Sequence, residues 1–480
     1  MSMLSYPVHY DVFGPEDPGR DSTVDTILAA LTGENPWDYD YAQLREVQLA
    51  AFNERLRRQC ERIPMLAQRV DQLGIDEVAS FEDAVPLLFA PSVYKSYPEA
   101  FVSKGRWPQL LRWLDGLSAE RMVDQVNVEG VSDIDDFIDR LRAKGHRVVT
   151  TSGTGGKSSL MPESETDIER AAEIALRTYG TMWGVQSGSD HPFFYTGHRI
   201  SPYRGATVRD AVEKAFCPSG VVTLFEEKLS VREVSETAAL NKALANGTAS
   251  PSDIARLRES QERARARADA AIDRFVTAMA EVGDEEPVYM WGQPFVFHLA
   301  LKRARERSLT IRFHPDSSII TPGGLKNNQV SDNAAFIREL KEFYPKRMTT
   351  GYGSADMHSM YWECSQGRWH APPTSMLVLT DDSGELLLNP AEGIAEGVFA
   401  TFDFSPLRRW GGLVSTDWVT ADFSRCPCGL ASPSLLSVRR HEPGSGASDK
   451  LNCQGRIEMY IRGVVDDPAD SPGPAREPQL

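Results

Sequence analysis

The sequence has little cysteine, no long apolar run and no excess of basic charge, and each absence excludes a class of protein. Six cysteines in 480 residues are too few for a disulfide scaffold, which favours a reducing, cytoplasmic setting. No run of about 18 or more apolar residues occurs, so no membrane span is predicted. The first ten residues, MSMLSYPVHY, do not join a basic start to an apolar stretch, so they predict no secretory signal. The net charge of -16 argues against a general nucleic-acid binder, which would present a basic face.

Hydrophobic periodicity predicts a helical N-terminal part. Residues 1–40 are rich in Pro, Gly and Asp and predict a loose arm. Apolar residues recur at helical spacing from about Tyr41 to Leu73 and again over Ile134–Leu141. Ser132 precedes the second helix as its predicted N-cap.

The later part of the chain predicts a layered α/β domain. From Val288 onward, strand-like segments, among them LTIRF at 309–313, alternate with helical ones, which is typical of a mostly parallel sheet. After Ser375 the segments become short strands separated by turns, which predicts a small β-rich subdomain. Residues 466–480 are acidic and Pro-rich and predict a disordered tail, so the predicted main domain spans 41–465.

A stretch of unusual composition interrupts this domain. Residues from about 231 to 282 are rich in Ala, Glu and Arg, and a turn signal, NGTASPSD, divides them. The pattern predicts two amphipathic helices inserted into the main fold. A plain surface pair, a lid over a substrate pocket and a contact in a homodimer remain alternative interpretations.

A run of glycines and hydroxyls follows the predicted strand Arg147–Thr150. Glycines allow the backbone N–H groups to converge on an anion, and Lys157 adds a point charge. The spacing differs from that of a Walker P-loop, and an ordinary Gly/Ser/Thr loop remains the alternative. The residues predicted to bind an anion are Thr151, Ser152, Gly153, Thr154, Gly155, Gly156 and Lys157.

Together with four further motifs, this run, TTSGTGGKSS, resembles the phosphate loop of the adenylate-forming superfamily of acyl- and aryl-CoA synthetases. The other motifs follow in the superfamily's order: ITPGGLK (320–326), TGYGSADMHS (350–359), STDWV (415–419) and GRIEMYIRG (455–463). Within the superfamily, the sequence is most similar to acyl-protein synthetases of the bacterial luminescence type and next to phenylacetate–CoA ligases. VPLLFAPSVYKS near the start and CPCG near the end also carry this likeness.

The resemblance implies ATP and Mg²⁺ as cofactors and a carboxylic acid, activated as its acyl-adenylate, as substrate. It implies that Asp356 holds the magnesium ion, that Tyr352 packs on adenine and that Asp417 grips the ribose hydroxyls. Lys326 and Arg456 would supply cations to the reacting groups, and Arg456 would also lie near the ribose or phosphate. The remaining nucleotide-binding residues that it implies are Gly323, Gly324, Gly353 and Ser354.

The sequence departs from the family pattern at several positions. Gly155 and Ser158 stand where Thr and Pro are common, and Ala355 replaces a Thr that would contact phosphate. Superfamily ligases normally carry a further C-terminal domain with a lysine that contacts the reacting carboxylate. This sequence ends about 17 residues after Gly463, so no mobile C-terminal domain is expected and another cation would neutralise charge. The candidates are Lys326, Lys157 and Arg456.

Four residues together have the composition of a zinc site. Cys364, His370, Cys426 and Cys428 would offer three thiolates and one imidazole, which satisfy tetrahedral zinc. Similar clusters occur in phenylacetate–CoA-ligase-like proteins, so the resemblance supports a closed structural zinc. A set of unrelated reduced thiols remains the alternative, because Cys-x-Cys is a less specific spacing than Cys-x-x-Cys.

The acid and its acceptor are defined only by class. A small aryl or acyl acid is expected, with His198, Trp291 and Gly292 as candidate pocket residues, although a packed His and core aromatics are the plainer interpretation. The acceptor would be CoA, a carrier protein, a protein Cys, or a small amine or hydroxyl. By resemblance, Cys453 is a candidate acyl carrier, and a plain buried thiol is its alternative. A non-catalytic nucleotide-binding relative and an acyl-transfer subunit of a multienzyme complex are the competing functions.

Overall fold

The computed structural model describes residues 27, 37–90, 92–151, 157–183, 188–322, 333–344 and 347–440. Most of the predicted phosphate loop and the last predicted motif fall outside these ranges. The predicted site residues outside the described ranges are Ser152, Gly153, Thr154, Gly155, Gly156, Gly323, Gly324, Lys326, Cys453 and Arg456.

Helices dominate the N-terminal part and then alternate with strands up to Phe343. The α-helices are α1 (Tyr41–Cys60), α2 (Pro64–Leu73), α3 (Phe81–Ala84), α4 (Glu99–Ser103), α5 (Trp107–Gly116), α6 (Ile134–Arg142), α7 (Glu165–Trp183), α8 (Arg204–Phe216), α9 (Val231–Ala245), α10 (Pro251–Val282), α11 (Pro294–Glu306) and α12 (Asn333–Phe343). Two short 3-10 helices, Val85–Leu87 and Val93–Lys95, lie between α3 and α4. None of the helices in the described ranges combines the length and apolarity needed to cross a bilayer.

An 11-stranded mixed sheet forms the centre of the molecule. The strands are β1 (His146–Thr150), β2 (Leu160–Ser164), β3 (Phe193–Ile200), β4 (Val221–Lys228), β5 (Tyr289–Trp291), β6 (Ser318–Pro322), β7 (Arg347–Tyr352), β8 (Tyr361–Glu363), β9 (Trp369–His370), β10 (Ser375–Thr380), β11 (Ile394–Asp403), β12 (Gly412–Asp422) and β13 (Ser434–Arg440). Their order is β10-β11-β12-β13-β9-β8-β7-β6-β5-β3-β4, and β1 and β2 form a separate hairpin. The predicted α/β class is confirmed.

The sheet divides into a parallel and an antiparallel half. Strands β7, β6, β5, β3 and β4 run parallel, and β8 to β13 pair antiparallel with their neighbours. In the parallel half, alternate side chains bury on opposite faces, as a strand requires. Phe194 packs with Phe275 of α10 in one core cluster, while Phe193 packs with Val212 of α8 in another. Helices therefore cover both faces, as parallel sheets need.

The helix predicted over Tyr41–Leu73 is two helices. Pro64 begins α2, and Ile63 before it takes an extended conformation with φ −100° and ψ 103°. A residue that precedes proline is pushed out of the helical region, so the helix must break there. The two helices predicted between 231 and 282 are α9 and α10, and Asp135 of α6 anchors the first by accepting a hydrogen bond from Val231 N at 2.8 Å.

Two local predictions are wrong. Asp133, rather than Ser132, caps α6, because its carboxylate accepts a hydrogen bond from Asp136 N at 3.0 Å. LTIRF at 309–313 forms no strand, although Leu309 and Phe313 pack partly buried on the core beside α10 and α11. One-sided burial of an extended loop produces the same alternation as a strand, and no ladder forms with these residues.

The described part of the N-terminal arm packs on the domain. Trp37 is 1 % exposed and belongs to the core cluster that contains Trp291. Tyr39 donates from its hydroxyl to Ala371 O at 2.9 Å. The arm therefore contacts both the parallel half and the loops that follow β9.

Candidate active site and metal centre

The candidate nucleotide residues cluster where the parallel strands end. Strand β6 ends at Pro322 and β7 at Tyr352, and the two ends pair in register. In open α/β sheets, ligands bind outside the carboxyl ends of the strands. Tyr352 is the last residue of β7, and the loop after it carries three more predicted site residues to this edge: Gly353, Ser354 and Asp356.

Tyr352 meets Asp417 from the other half of the sheet. Its hydroxyl donates to the Asp417 carboxylate at 3.1 Å, although β7 and β12 are not neighbours. The ring of Tyr352 stands edge-on to Phe399 with 5.0 Å between centroids. Burial, reinforced by the Asp417 carboxylate, raises the pKa of Tyr352 well above its usual range, so the phenol stays protonated. An aromatic face and a carboxylate thus lie side by side.

Asp356 is a buried carboxylate with one oxygen that is not hydrogen-bonded within the described ranges. It is 9 % exposed, and its Oδ1 atom finds no hydrogen-bond partner among the described residues. Burial raises the pKa of Asp356, and the nearby charges of Arg409 and Lys95 act against that rise. Arg409 also fixes the backbone by donating to Asp356 O at 2.6 Å. A carboxylate oxygen of this kind fits a magnesium ligand, because Mg²⁺ is bound through one or two carboxylates plus phosphates.

A buried charge network, which the sequence did not predict, lies behind Asp356. Glu163 of β2 is fully buried and accepts from His358 Nε2 at 3.0 Å and from Arg204 Nη1 at 2.7 Å. Arg409 Nε lies 3.5 Å from the same carboxylate. Burial opposes ionisation, but Arg204 and His358 outweigh it and hold the pKa of Glu163 well below its usual range. Burial lowers the pKa of His358, so the imidazole is neutral and donates from Nε2.

Tyr97 contacts the described end of the predicted phosphate-loop motif. Its hydroxyl donates to Ser158 O at 2.9 Å, and Thr151 Oγ1 accepts from Ser159 N at 3.0 Å. The Lys157 ammonium donates to the carbonyl of Tyr97 and lies 4.0 Å from the centroid of its ring. In the structure, Lys157 therefore binds the turn beside the loop.

Trp291 and Gly292 lie at the end of β5, next to β3. Trp291 is 4 % exposed and packs against Tyr195 with ring centroids 5.3 Å apart. A Cβ atom on Gly292 would overlap the side chain of Thr196, so only glycine fits there without a shift. Both residues therefore serve the packing of β5 on β3 at the carboxyl edge.

His198 lies farther along β3 and lines a cavity. Its ring stacks on Phe225 with 4.6 Å between centroids, and Nδ1 lies 3.2 Å from Glu227 O. Burial lowers the pKa of His198. The cavity measures about 800 Å³ and opens between the ends of β3 and β4 and the helices α9 and α10. His198 and Trp291 are thus not side by side in one pocket.

The four predicted metal ligands converge. Ligand atoms of Cys364, His370, Cys426 and Cys428 all lie within 4.8 Å of one another. The β8–β9 hairpin supplies the first two, and the loop before β13 supplies the others. Such a set has the donors and the spacing to hold a metal ion.

Hydrogen bonds orient the donors of this cluster. His370 Nδ1 lies 2.9 Å from Ser432 Oγ, which leaves Nε2 facing Cys428 Sγ at 3.5 Å. Burial lowers the pKa of His370 to about 4, so the ring is neutral, the form that binds a metal. Burial and the neighbouring thiols raise the pKa of Cys428 to about 12. A bound cation would have to displace that proton.

Known proteins match this chain in structure only. No family model and no curated protein matches its sequence. The solved structures it resembles include 2-hydroxyisobutyryl-CoA ligase in an open conformation with 2-HIB-AMP and CoA, at a TM-score of 0.53 and 11 % identity over 85 % of this chain and 71 % of that chain. The same ligase in the postadenylation state with 2-HIB-AMP gives a TM-score of 0.52 and 13 % identity over 85 % and 69 %. The chain has the fold of an adenylate-forming acyl-CoA ligase.

On this fold, two of the quoted motifs meet: Asp417 of STDWV accepts a hydrogen bond from Tyr352, which lies four residues before Asp356 in TGYGSADMHS. Lys157 contacts Tyr97, and His198 lines the cavity beside α9 and α10. No sequence pattern predicted the buried network of Glu163, Arg204, His358 and Arg409. Its members are far apart in sequence, and no local pattern shows that Glu163 pairs with a histidine 195 positions away.

Proposed function

We propose that this chain is a ligase that activates a carboxylic acid with ATP as an acyl-adenylate and releases pyrophosphate. One observation carries the proposal: on an acyl-CoA ligase fold, the Tyr352–Asp417 pair at 3.1 Å lies beside the buried Asp356 at the carboxyl edge of the sheet. A ring for adenine, a carboxylate for ribose hydroxyls and a carboxylate for Mg²⁺ are the parts that ATP binding needs.

The chemistry needs positioning and charge neutralisation more than a nucleophile from the protein. An oxygen of the substrate carboxylate attacks the α-phosphorus in line, and the bond to the pyrophosphate oxygen breaks. Asp417 would accept hydrogen bonds from the ribose and Tyr352 would pack on the base, which fixes the α-phosphate relative to the acid. Magnesium held at Asp356 would neutralise charge on the phosphates when bound. The glycine loop at 152–156 stays a predicted contact to the same phosphates.

In the second step, an acceptor attacks the carbonyl carbon of the adenylate and AMP leaves. A thiol is the acceptor we favour, with CoA first, because the structurally similar 2-hydroxyisobutyryl-CoA ligase was captured with CoA and 2-HIB-AMP. A carrier-protein thiol, a protein Cys, and a small amine or hydroxyl remain in the proposal as alternatives. The acyl-protein synthetase or phenylacetate–CoA ligase type rests on the motifs alone.

Exchange of labelled pyrophosphate into ATP, measured with a panel of small aryl and acyl acids, tests the proposal. We expect exchange that depends on one acid class and on magnesium, and its loss in Asp356→Asn. Asp316→Asn is the matched control, because the Asp316 side chain is 83 % exposed and lies just before the amino end of β6. ATP binding without exchange for any acid would favour a non-catalytic relative. A wild-type protein that binds no ATP would contradict the proposal.

A further inference from the structure

A short turn beside the candidate site carries a lysine to which no motif assigns a role. The 3-10 helix Val93–Lys95 ends at this half-buried residue. The Lys95 ammonium makes no hydrogen bond or ion pair with any residue in the described ranges. Its neighbour Tyr94 packs against Arg409, with 5.8 Å between the ring centroid and Cζ, and Arg409 donates to Asp356 O at 2.6 Å. A half-buried ammonium with no hydrogen-bond acceptor in the described ranges is free to donate to an anionic ligand.

The turn is fixed on several sides, so the position of Lys95 is well defined. Tyr94 donates from its hydroxyl to Trp410 O at 3.1 Å, and Trp113 Nε1 donates to Ser96 Oγ at 3.1 Å. Tyr97 donates to Ser158 O at the base of the glycine loop. The turn therefore lies between Ser158 on one side and Arg409 and Trp410 on the other.

The other cations near this region already have partners. Arg409 is buried and binds the Asp356 carbonyl, the Glu163 carboxylate and the face of Tyr94, whose centroid lies 5.8 Å from Cζ. Lys157 binds the carbonyl and the ring of Tyr97. Among the described residues near Asp356, Lys95 is the cation that has charge available for a ligand.

We propose that Lys95 binds the phosphate chain of bound ATP, beside the magnesium site at Asp356. This proposal rests on the proposed function, since it names a further contact to the same nucleotide. A lysine ammonium is a compact point charge with three donors, which suits a phosphate chain that shifts as pyrophosphate leaves. Lys95 would thus supply part of the charge neutralisation that the family assigns to other cations.

Binding of ATP and of adenosine, titrated with magnesium present, tests the role of Lys95. We expect Lys95→Gln to weaken ATP binding by about tenfold or more and to leave adenosine binding unchanged, because adenosine has no phosphates. ATP affinity in Lys95→Gln should also fall less steeply with salt, since one charge contact is gone. Lys95→Arg should recover part of the loss.

Lys104→Gln is the matched control, because Lys104 is an exposed lysine a few residues along the same segment and should bind ATP as the wild type does. Thermal unfolding checks that each variant folds, and Lys95→Met serves if the Gln variant does not. Unchanged ATP binding in Lys95→Gln, or an equal loss of ATP and adenosine, would overturn the proposal. Failure of the wild type itself to bind ATP would instead sink the proposed function.

Discussion

At the carboxyl edge of the sheet, Tyr352 and Asp417 would make different contacts with a bound nucleotide. The ring provides an apolar face, while the carboxylate can accept from hydroxyls once ATP arrives. The existing hydrogen bond of 3.1 Å holds the carboxylate in place before binding. Preorganisation of this kind lowers the entropy that binding must overcome.

We expect Asp417→Asn to weaken ATP and adenosine binding by the same factor, because ribose is common to both. Loss of a charged hydrogen-bond acceptor should cost about 1.5–3 kcal/mol, or roughly 10- to 150-fold in affinity. Tyr352→Phe keeps the ring and should cost less than Tyr352→Ala. Equilibrium binding to both ligands is the measurement, and an effect on ATP alone would contradict the ribose assignment.

The buried carboxylate of Glu163 contacts two arginines, Arg204 and Arg409, and also accepts a hydrogen bond from the neutral His358. Replacement of Glu163 by Gln would leave the two buried guanidinium groups without this negative charge. Breaking a buried ion pair on one side typically costs about 3–5 kcal/mol. We therefore expect Glu163→Gln to lower the free energy of unfolding by that order at neutral pH.

The same substitution has a defined pH dependence. Because the pKa of Glu163 is lowered in the folded state, its stabilisation is fully present above the unfolded pKa of about 4.3 and is lost as pH falls toward the folded value. The difference between wild type and Glu163→Gln should thus shrink below about pH 4. Urea unfolding at several pH values measures it. Glu236→Gln is the control, since Glu236 forms an exposed i,i+4 pair with Arg232 at 3.4 Å that should be worth less than about 1 kcal/mol.

At the scale of elements, the β8–β9 hairpin links the metal cluster to the strand that bears Tyr352. Thr350 of β7 donates its N–H to Glu363 at 2.9 Å and accepts from Trp369 Nε1 at 2.9 Å. Strand β9 has only two residues, so its ladder alone gives little stability. A metal ion that bridges this hairpin to the loop before β13 would hold both in place.

We predict that the purified protein contains zinc near one equivalent and that Cys426→Ser loses it. The variant should unfold at lower temperature, because a buried ligand of a closed site contributes directly to folding. Elemental analysis and thermal unfolding are the measurements. Cys60→Ser, a half-exposed thiol outside the cluster, should retain both properties. Zinc far below one equivalent in wild type would favour the unrelated reduced thiols.

Local sequence patterns predicted where most elements lie, and long-range contacts explain what they missed. The helical segments predicted after Val288 are α11 and α12, and α11 begins at Pro294, a residue that suits the first turn of a helix. LTIRF does not form a strand, because alternate burial of its apolar side chains also occurs in an extended loop. The strand predicted before the glycine run is β1, which pairs with β2 in a two-stranded hairpin. Hydrophobic periodicity predicts a strand but not its partner.

The candidate site was predictable where a motif keeps its parts close in sequence. The four metal ligands form two short pairs, and the fold then brings the pairs within 4.8 Å. Tyr352 and Asp417, 65 positions apart, could be related only through family resemblance. Arg409 donates to Asp356 O from 53 positions along the chain, a contact that no local pattern predicts.

At the scale of the whole molecule, α1 ties the N-terminal helices to the antiparallel half of the sheet. Three of its buried polar side chains donate to backbone carbonyls more than 320 positions away. Gln48 reaches Pro373 O at 2.9 Å, Arg55 reaches Phe404 O at 3.1 Å and Gln59 reaches Leu407 O at 2.7 Å; Arg55 also donates to Pro406 O. Such bonds satisfy loop carbonyls that no strand pairs with, and they make the ends of the described chain depend on each other.

This tie predicts a cooperative response to a single substitution in α1. Arg55→Leu would leave the carbonyls of Phe404 and Pro406 buried without these donors, at a cost of about 2–4 kcal/mol. Arg57→Leu, two residues along the same helix, removes only an exposed pair with Glu77 at 3.7 Å and should cost less than about 1 kcal/mol. Chemical unfolding followed by tryptophan fluorescence and by circular dichroism should show one transition for all three proteins, shifted strongly in Arg55→Leu alone. Separate transitions for the two probes would mean that α1 and the sheet unfold independently, and equal shifts for the two variants would mean that the buried bonds do not stabilise the docking of α1.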